Sequence, residues 1–287
     1  YKIGNGNMSI IYKLEQQIDL DQGGANNGDT FTTRNSYVGM KGGFGQIIAG
    51  YHDTPFKSVG SKWGMFGDTV ADRRAILGAK SSGGNEVNLR AANALMWSNK
   101  FNDAKVMVMY SPDGQNNGTN HKLTSVGVLY KSKSSPIYFG AAYEDWDNLD
   151  NGKGQTDGYR VMGGFKGGWG QVGLIYEDLD NDGTRLDLIR SVYGVNGKFK
   201  LGSGMDLRGQ VLIADDSDAA ADSGATMAAV GLYKKLDKKT TIYGVYTQTD
   251  NDTNAAYQGV DGGHGDEIST VAGGEPNAFS VGLIFKF

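Results

Sequence analysis

Some fourteen segments of this chain alternate apolar and polar residues with a period of two, and the connections between them are alternately short and long. The segments run near 6–16, 31–41, 44–52, 86–97, 102–111, 122–131, 136–146, 157–166, 169–177, 187–199, 204–215, 224–235, 239–249 and 277–287. In one of them Ile137, Phe139, Ala141 and Tyr143 fall on one face, and Tyr138, Gly140, Ala142 and Glu144 on the other. Tyr159, Val161, Gly163 and Phe165 alternate in the same way with Arg160, Met162, Gly164 and Lys166. Such a period marks β-strands with one apolar and one polar face. Short connections include Gly42-Gly43, Asn102-Asp103, Gly167-Gly168 and Asp237-Lys238, whereas 17–30, 53–85, 112–121, 147–156, 178–186, 216–223 and 250–276 are long.

Two architectures fit alternation alone: a soluble sandwich with its apolar face inward, and a barrel with lipid outside and water within. Strict short/long alternation gives every hairpin one tight and one elaborated end, which is the asymmetry of transmembrane barrels. Tyr110, Tyr130, Tyr143, Tyr176 and Phe199 stand toward strand ends, where aromatic girdles meet the membrane interface. The expectation is an all-β, up-and-down antiparallel barrel forming a single domain over 1–287.

Composition agrees. Forty-five glycines with only 4 prolines suit many strands and tight turns. A mean hydropathy of -0.42, with no run of about 18 apolar residues, excludes membrane helices. A net charge of -4 gives no reason to expect a nucleic-acid partner. The absence of cysteine removes disulfides and thiolate metal sites. Tyr1 opens directly into polar sequence, so an exported protein would be read here in processed form.

Several segments resemble the general porins of Gram-negative outer membranes, the trimeric sixteen-stranded barrels. Gly4-Asn5-Gly6-Asn7-Met8 with Ile10-Ile11-Tyr12-Lys13-Leu14-Glu15 is similar to that family's third strand. Thr33-Arg34-Asn35-Ser36-Tyr37-Val38-Gly39 and Gly50-Tyr51-His52-Asp53-Thr54-Pro55 resemble the next two. The final Phe279, Val281, Leu283, Phe285 and Phe287 alternation resembles the terminal strand that the barrel-assembly machinery recognises, with Phe285 and Phe287 as its signal. By this resemblance two strands would precede Tyr1.

The resemblance implies passive diffusion of small hydrophilic solutes, a homotrimer latched by the second external loop (about 19–30), and contact with outer-membrane lipid and lipopolysaccharide. It also implies that residues 53–85 fold inward as a constriction carrying Asp53, Asp68, Asp72, Arg73 and Arg74. Basic wall residues would face it: Arg34 and Arg90 by family match, Arg160 and Arg208 by their own alternation. Charges so opposed bias permeation by ion sign. Tyr51 stands where many relatives carry arginine, which weakens the expected basic cluster.

No cofactor is expected. The acidic external loops offer calcium or magnesium at most, with Asp178, Asp180 and Asp182 as candidates, and the twelfth position of that stretch is Ile189 rather than an EF-hand glutamate. His52, His121 and His264 show neither metal spacing nor a catalytic triad, so no enzyme is expected. Two alternatives stay open: a channel selective for sugars or anions, and a secreted sandwich with cation-binding loops. The first calls for an aromatic slide or a lysine ladder inside the pore, and neither is evident in the sequence, although Tyr138 and Trp97 read as inward.

Overall fold

Alternation is realised as strands over most of the chain. The structure, a computed structural model, describes residues 2–3, 7–18, 31–82, 87–115, 121–147, 154–260 and 268–286. The expected latching loop near 19–30, Phe287, His264 and the tips of several long loops lie outside the described residues. The strands are β1 (Lys2–Ile3), β2 (Met8–Lys13), β3 (Gln16–Ile18), β4 (Phe31–Thr33), β5 (Ser36–Gly42), β6 (Gly45–Asp53), β7 (Arg90–Phe101), β8 (Ala104–Ser111) and β9 (Leu123–Lys131). They continue as β10 (Ile137–Trp146), β11 (Thr156–Gly167), β12 (Gly170–Asn181), β13 (Arg190–Gly202), β14 (Met205–Ala214), β15 (Ala225–Lys235), β16 (Thr240–Asn251) and β17 (Asn277–Phe285). Fifteen of them form one antiparallel meander in sequence order, and β3 and β4 form a separate ribbon prolonging the β2–β5 hairpin.

Residues directly paired across an antiparallel ladder share a face, so the register sorts the two surfaces. One outward rung runs Val106–Val128–Ala141–Val161–Tyr176–Tyr193–Ile213. One inward rung runs Lys41–Gln46–Ser98–Met107–Gly127–Ala142–Arg160–Glu177–Val192–Ala214. Tyr110, Tyr143 and Phe199 are exposed on the outward surface together with Val161, Leu174 and Val195. Tyr130 stacks on Phe139 near the short turns, and Trp169 stacks on Phe165 and Phe199. So broad an exposed apolar surface calls for an apolar solvent. Among the described residues no helix is long and apolar enough to cross a membrane.

Trp97 corrects its sequence reading. It pairs with Val108 and follows the parity of exposed Leu95, so it belongs to the outward face, where its Nε1–H donates to Phe44 O at 2.9 Å. The strand expected at 86–97 starts later, at Arg90, and runs on to Phe101. Asn88, at φ 67°, ends the preceding loop instead of pairing in a ladder. Likewise 187–199 becomes β13 from Arg190, because 186–188 close a 3-10 turn.

The 53–85 connection, expected to be a loop throughout, also contains a helix. Helix α1 (Pro55–Trp63) begins at Thr54, whose Oγ1 accepts the Lys57 N–H at 3.2 Å, with Pro55 in its first turn. Both are favoured helix-start residues. The sheet curls around this segment, which packs Phe56, Val59, Trp63, Phe66, Ile76 and Leu77 out of contact with water.

Candidate functional site

A loop inside a water-filled barrel must satisfy its backbone polar groups and cover its apolar side chains. Here the wall does both. Arg160 donates from Nη1 to Phe56 O at 3.0 Å, Asn196 from Nδ2 to Trp63 O at 2.7 Å, and Arg208 from Nη1 to Met65 O at 3.1 Å. Gln210 donates to Ala71 O at 2.9 Å, and Arg190 donates to Ile76 O at 2.9 Å and also to Ala79 O. In the opposite sense, Glu177 Oε1 accepts the Gly78 N–H at 2.8 Å and Ser125 Oγ the Phe56 N–H at 3.3 Å. Residues 56–79 are thus tied along their length to inward side chains of β9 and β11 to β14.

Arg160 and Arg208 therefore differ from their expected role. Both face inward, but Arg160 has no exposed surface. It ion-pairs with Glu177, donates to Asn88 Oδ1 at 2.6 Å, and lies 4.0 Å from the centre of the Phe56 ring. Arg208 lies 3.5 Å over the Tyr233 ring and 3.8 Å from Asp206. Alternation gave their face correctly; the loop then sealed Arg160 and left Arg208 partly exposed, and both donate to its backbone.

Asp72 is buried as well, although expected among the acidic pore residues. It caps a short 3-10 turn (Arg73–Ala75) by accepting the Arg74 N–H, and it ion-pairs with Arg73 and Arg74 at 3.5 Å each. Burial alone would raise its carboxyl, but the two guanidinium groups and the backbone donors hold it below the usual range. Arg73 is buried too and donates to Ser61 Oγ at 2.9 Å.

The charges that pair at the edges of the loop are fewer. Asp68, 73% exposed on the loop at φ 57°, stands 3.8 Å from Arg34, which also donates to Glu15 and Gln17. Asp53 accepts from Asn35 at 2.8 Å and faces Lys57 at 3.0 Å and Arg90 at 3.3 Å. A cavity of about 1100 Å³ is lined by Thr33, Tyr51, Lys57, Arg74, Asn88 and Arg90. Lys57, which the sequence reading did not single out, is the buried cation of this group. Burial, with Arg90 and Arg74 adding and Asp53 opposing, brings its ammonium down to about 8. Its only sequence signal is its place one turn beyond the Thr54-Pro55 helix start.

Also at the long-loop end, the carboxylates of Asp178, Asp180 and Asp182 are engaged by their own neighbours. Asp178 accepts from the Tyr176 and Ser191 hydroxyls, Asp180 from the Asn181 N–H, and Asp182 from the Gln155 N–H. Among the described residues no group of three or more carboxylates or imidazoles is spaced to hold a metal ion.

A continuous antiparallel sheet with a lipid-suited exterior, curled about an inward-tied loop with cations facing a cavity, is the form of a pore. The family model for Gram-negative porins matches residues 2–254. The chain belongs to the Gram-negative porins. Among solved structures, an anion-selective porin from Comamonas acidovorans is similar at TM-score 0.80 and 18% identity, over 99% of this chain and 86% of that one. OmpT of Vibrio cholerae in its trimer form is similar at 0.70 and 17%, covering 99% and 88%. A Rhodopseudomonas blastica porin triple mutant is similar at 0.64 and 16%, covering 99% and 86%. No curated protein sequence matches. The protein is thus an integral outer-membrane porin whose sheet walls a diffusion channel, with the apolar rungs toward lipid and residues 54–82 narrowing the lumen.

Proposed function

We propose that this porin is a size-limited diffusion channel biased toward small anions. Transport of this kind needs no catalytic step. The supporting observation is the charge balance at the constriction: among the described residues Arg34, Lys57, Arg73, Arg74 and Arg90 stand against Glu15, Asp53, Asp68 and Asp72. Asp72 and Arg73 are both buried and offset each other, which leaves Arg34, Lys57, Arg74 and Arg90 beside Glu15, Asp53 and Asp68. Between low-dielectric walls such an excess raises local anion concentration. The similar Comamonas acidovorans porin is anion-selective by name; at 18% identity that likeness carries the fold, and the bias here rests on the charges.

Assembly as a homotrimer is part of this proposal, supported by family membership and by the trimer form of the similar OmpT. So are insertion by the barrel-assembly machinery through the terminal aromatic strand and lipopolysaccharide contact at the external rim. The test of the ion bias is the reversal potential in a salt gradient across a planar bilayer. Wild type should reverse on the anion side at low salt, and Arg34→Ala with Arg90→Ala should move it toward cations, with high salt masking the difference. A cation-side reversal in wild type would refute the bias while leaving the channel itself intact.

A further inference from the structure

The inward rungs share a feature at one end. The first begins at Lys41; the next runs Lys100–Lys105–Leu129–Gly140–Met162–Ile175. The third begins Lys131–Tyr138–Gly164–Gly173–Asn196, and the fourth Lys166–Gln171–Lys198–Arg208. Each rung climbs from the short-turn end of one strand toward the long-loop end of strands further on. The rungs that open on Lys41, Lys100 and Lys131 reach Asn251, Thr249 and Thr247 on β16. Lysine therefore occupies the inward position beside each short turn from β5 to β13, and these three rungs end on neutral residues of β16.

This is a belt of seven ammonium groups, Lys41, Lys100, Lys105, Lys131, Lys166, Lys198 and Lys200, around the short-turn mouth. It lies on the far side of the constriction from the acidic loops. Lys62, exposed on the last turn of α1, is within electrostatic reach of Lys105, and Lys131 and Lys198 are within reach of Lys166. Neighbouring strands are about 4.8 Å apart, so Lys100 and Lys105, paired on one rung, stand within one Debye length, about 8 Å, and lysines two strands apart stand about 10 Å apart at their backbones, a gap their flexible stems shorten. The matching carboxylate on these low inward positions is Asp206, at 2.8 Å from Lys198.

Lysines at a water boundary are often mere solubilising charge. Sorting by face argues otherwise: at the same level the outward positions carry Tyr130, Phe139, Phe165 and Phe199, and the lysines turn toward the lumen. Sorting by end argues the same, since the acidic long loops lie at the opposite rim. The belt also supplies the lysine ladder that was not evident in the sequence, because its members meet only through the ladder register.

We propose that the short-turn mouth is a second binding zone, separate from the constriction, for polyvalent phosphate-bearing anions. Compact ammonium charges on flexible stems, without an array of planar forks, suit phosphate oxygens of varied orientation. A single-charged anion would meet one lysine at a time. An anion with several phosphates spans the gap between lysines of alternate strands and is held by two or three of them at once. The lumenal orientation excludes lipid headgroups as the occupant.

The test uses inorganic tripolyphosphate on the full-length porin in planar bilayers at low ionic strength. Because the chain lacks cysteine, Asp218→Cys in a long loop, labelled with a membrane-impermeant thiol reagent, assigns orientation. Tripolyphosphate added on the short-turn side should block current at a concentration about tenfold lower than on the loop side, the lower end of focusing effects. Lys131→Gln, Lys166→Gln and Lys198→Gln combined should erase that sidedness, as should Lys41→Gln, Lys100→Gln and Lys105→Gln on the other arc. Heat-modifiable gel migration checks that both variants fold, and Lys133→Gln, in a turn, should change nothing. The Arg34→Ala, Arg90→Ala variant should keep the sided block even though its reversal potential moves. Equal block from both sides, or a sided block that survives both triple substitutions, overturns the proposal without touching the ion bias of the constriction.

Discussion

Arg160→Met removes the centre of the fastening between loop and wall. The wild-type guanidinium satisfies Glu177, Phe56 O and Asn88 Oδ1 from a position with no solvent access. Methionine fills similar volume but leaves Glu177 with the Gly78 N–H and Arg190 at 3.8 Å. Removing one partner of a buried ion pair costs about 3–5 kcal/mol. Charged to the docking of the loop, that raises the undocked population about a hundredfold to several thousandfold, at 1.4 kcal/mol per tenfold. The ladders of β7 to β16 do not depend on this side chain, so the barrel should persist. The expected result is heat-modifiable migration retained, larger and noisier single-channel conductance, and a red-shifted Trp63 emission, since Trp63 is wholly buried against the wall. Arg160→Met with Glu177→Met removes the stranded carboxylate too and should recover most of the loss. Wild-type conductance and noise in the single variant, or a double variant worse by the sum of its parts, would refute the fastening role.

Gly60→Ala within α1 should destabilise loop docking although alanine ordinarily favours a helix interior by about 1 kcal/mol over glycine; an added Cβ would stand 2.5 Å from Arg160 Nη1, and conductance noise reads the outcome. Trp63→Ala should cost about 3–5 kcal/mol of docking through the cavity it leaves, seen as an enlarged conductance with the barrel still folded. Anion bias should weaken as pH rises from 7 to 9, because Lys57, with its ammonium near 8, loses its charge over that range, and Lys57→Met should flatten the change in reversal potential. The stability sign is the reverse: a lysine depressed in the folded state relative to 10.5 unfolded disfavours folding while protonated, so unfolding resistance should rise with pH between about 8 and 10.5.

The face of almost every wall residue was legible because a strand's period is two, and no tertiary fact is needed to know that Arg160, Glu177 and Gln210 look inward. Depth was not legible. An arginine facing water in the lumen and one sealed beneath a loop have the same alternation, and only the loop's own path separates Arg160, which fastens, from Arg34, which faces Asp68. Nor could alternation rank Asp68 and Asp72, four residues apart: one is 73% exposed and the other buried between arginines next to it in sequence. The lysine belt failed to appear for a different reason. Each member is visible as the inward residue beside a short turn, but a ladder is a relation among strands, and its rungs exist only once β5 to β13 are set in register. The constriction was found by resemblance and its fastening by structure, and the two together explain the charge pattern. Wall arginines deep in the lumen are committed to loop backbone, so the cations that meet solute are those at the loop's edges and at the short-turn mouth. A substitution among Arg160, Arg190 and Arg208 should therefore alter pore size before ion sign, while one among Arg34, Lys57 and Arg90 should alter ion sign before pore size.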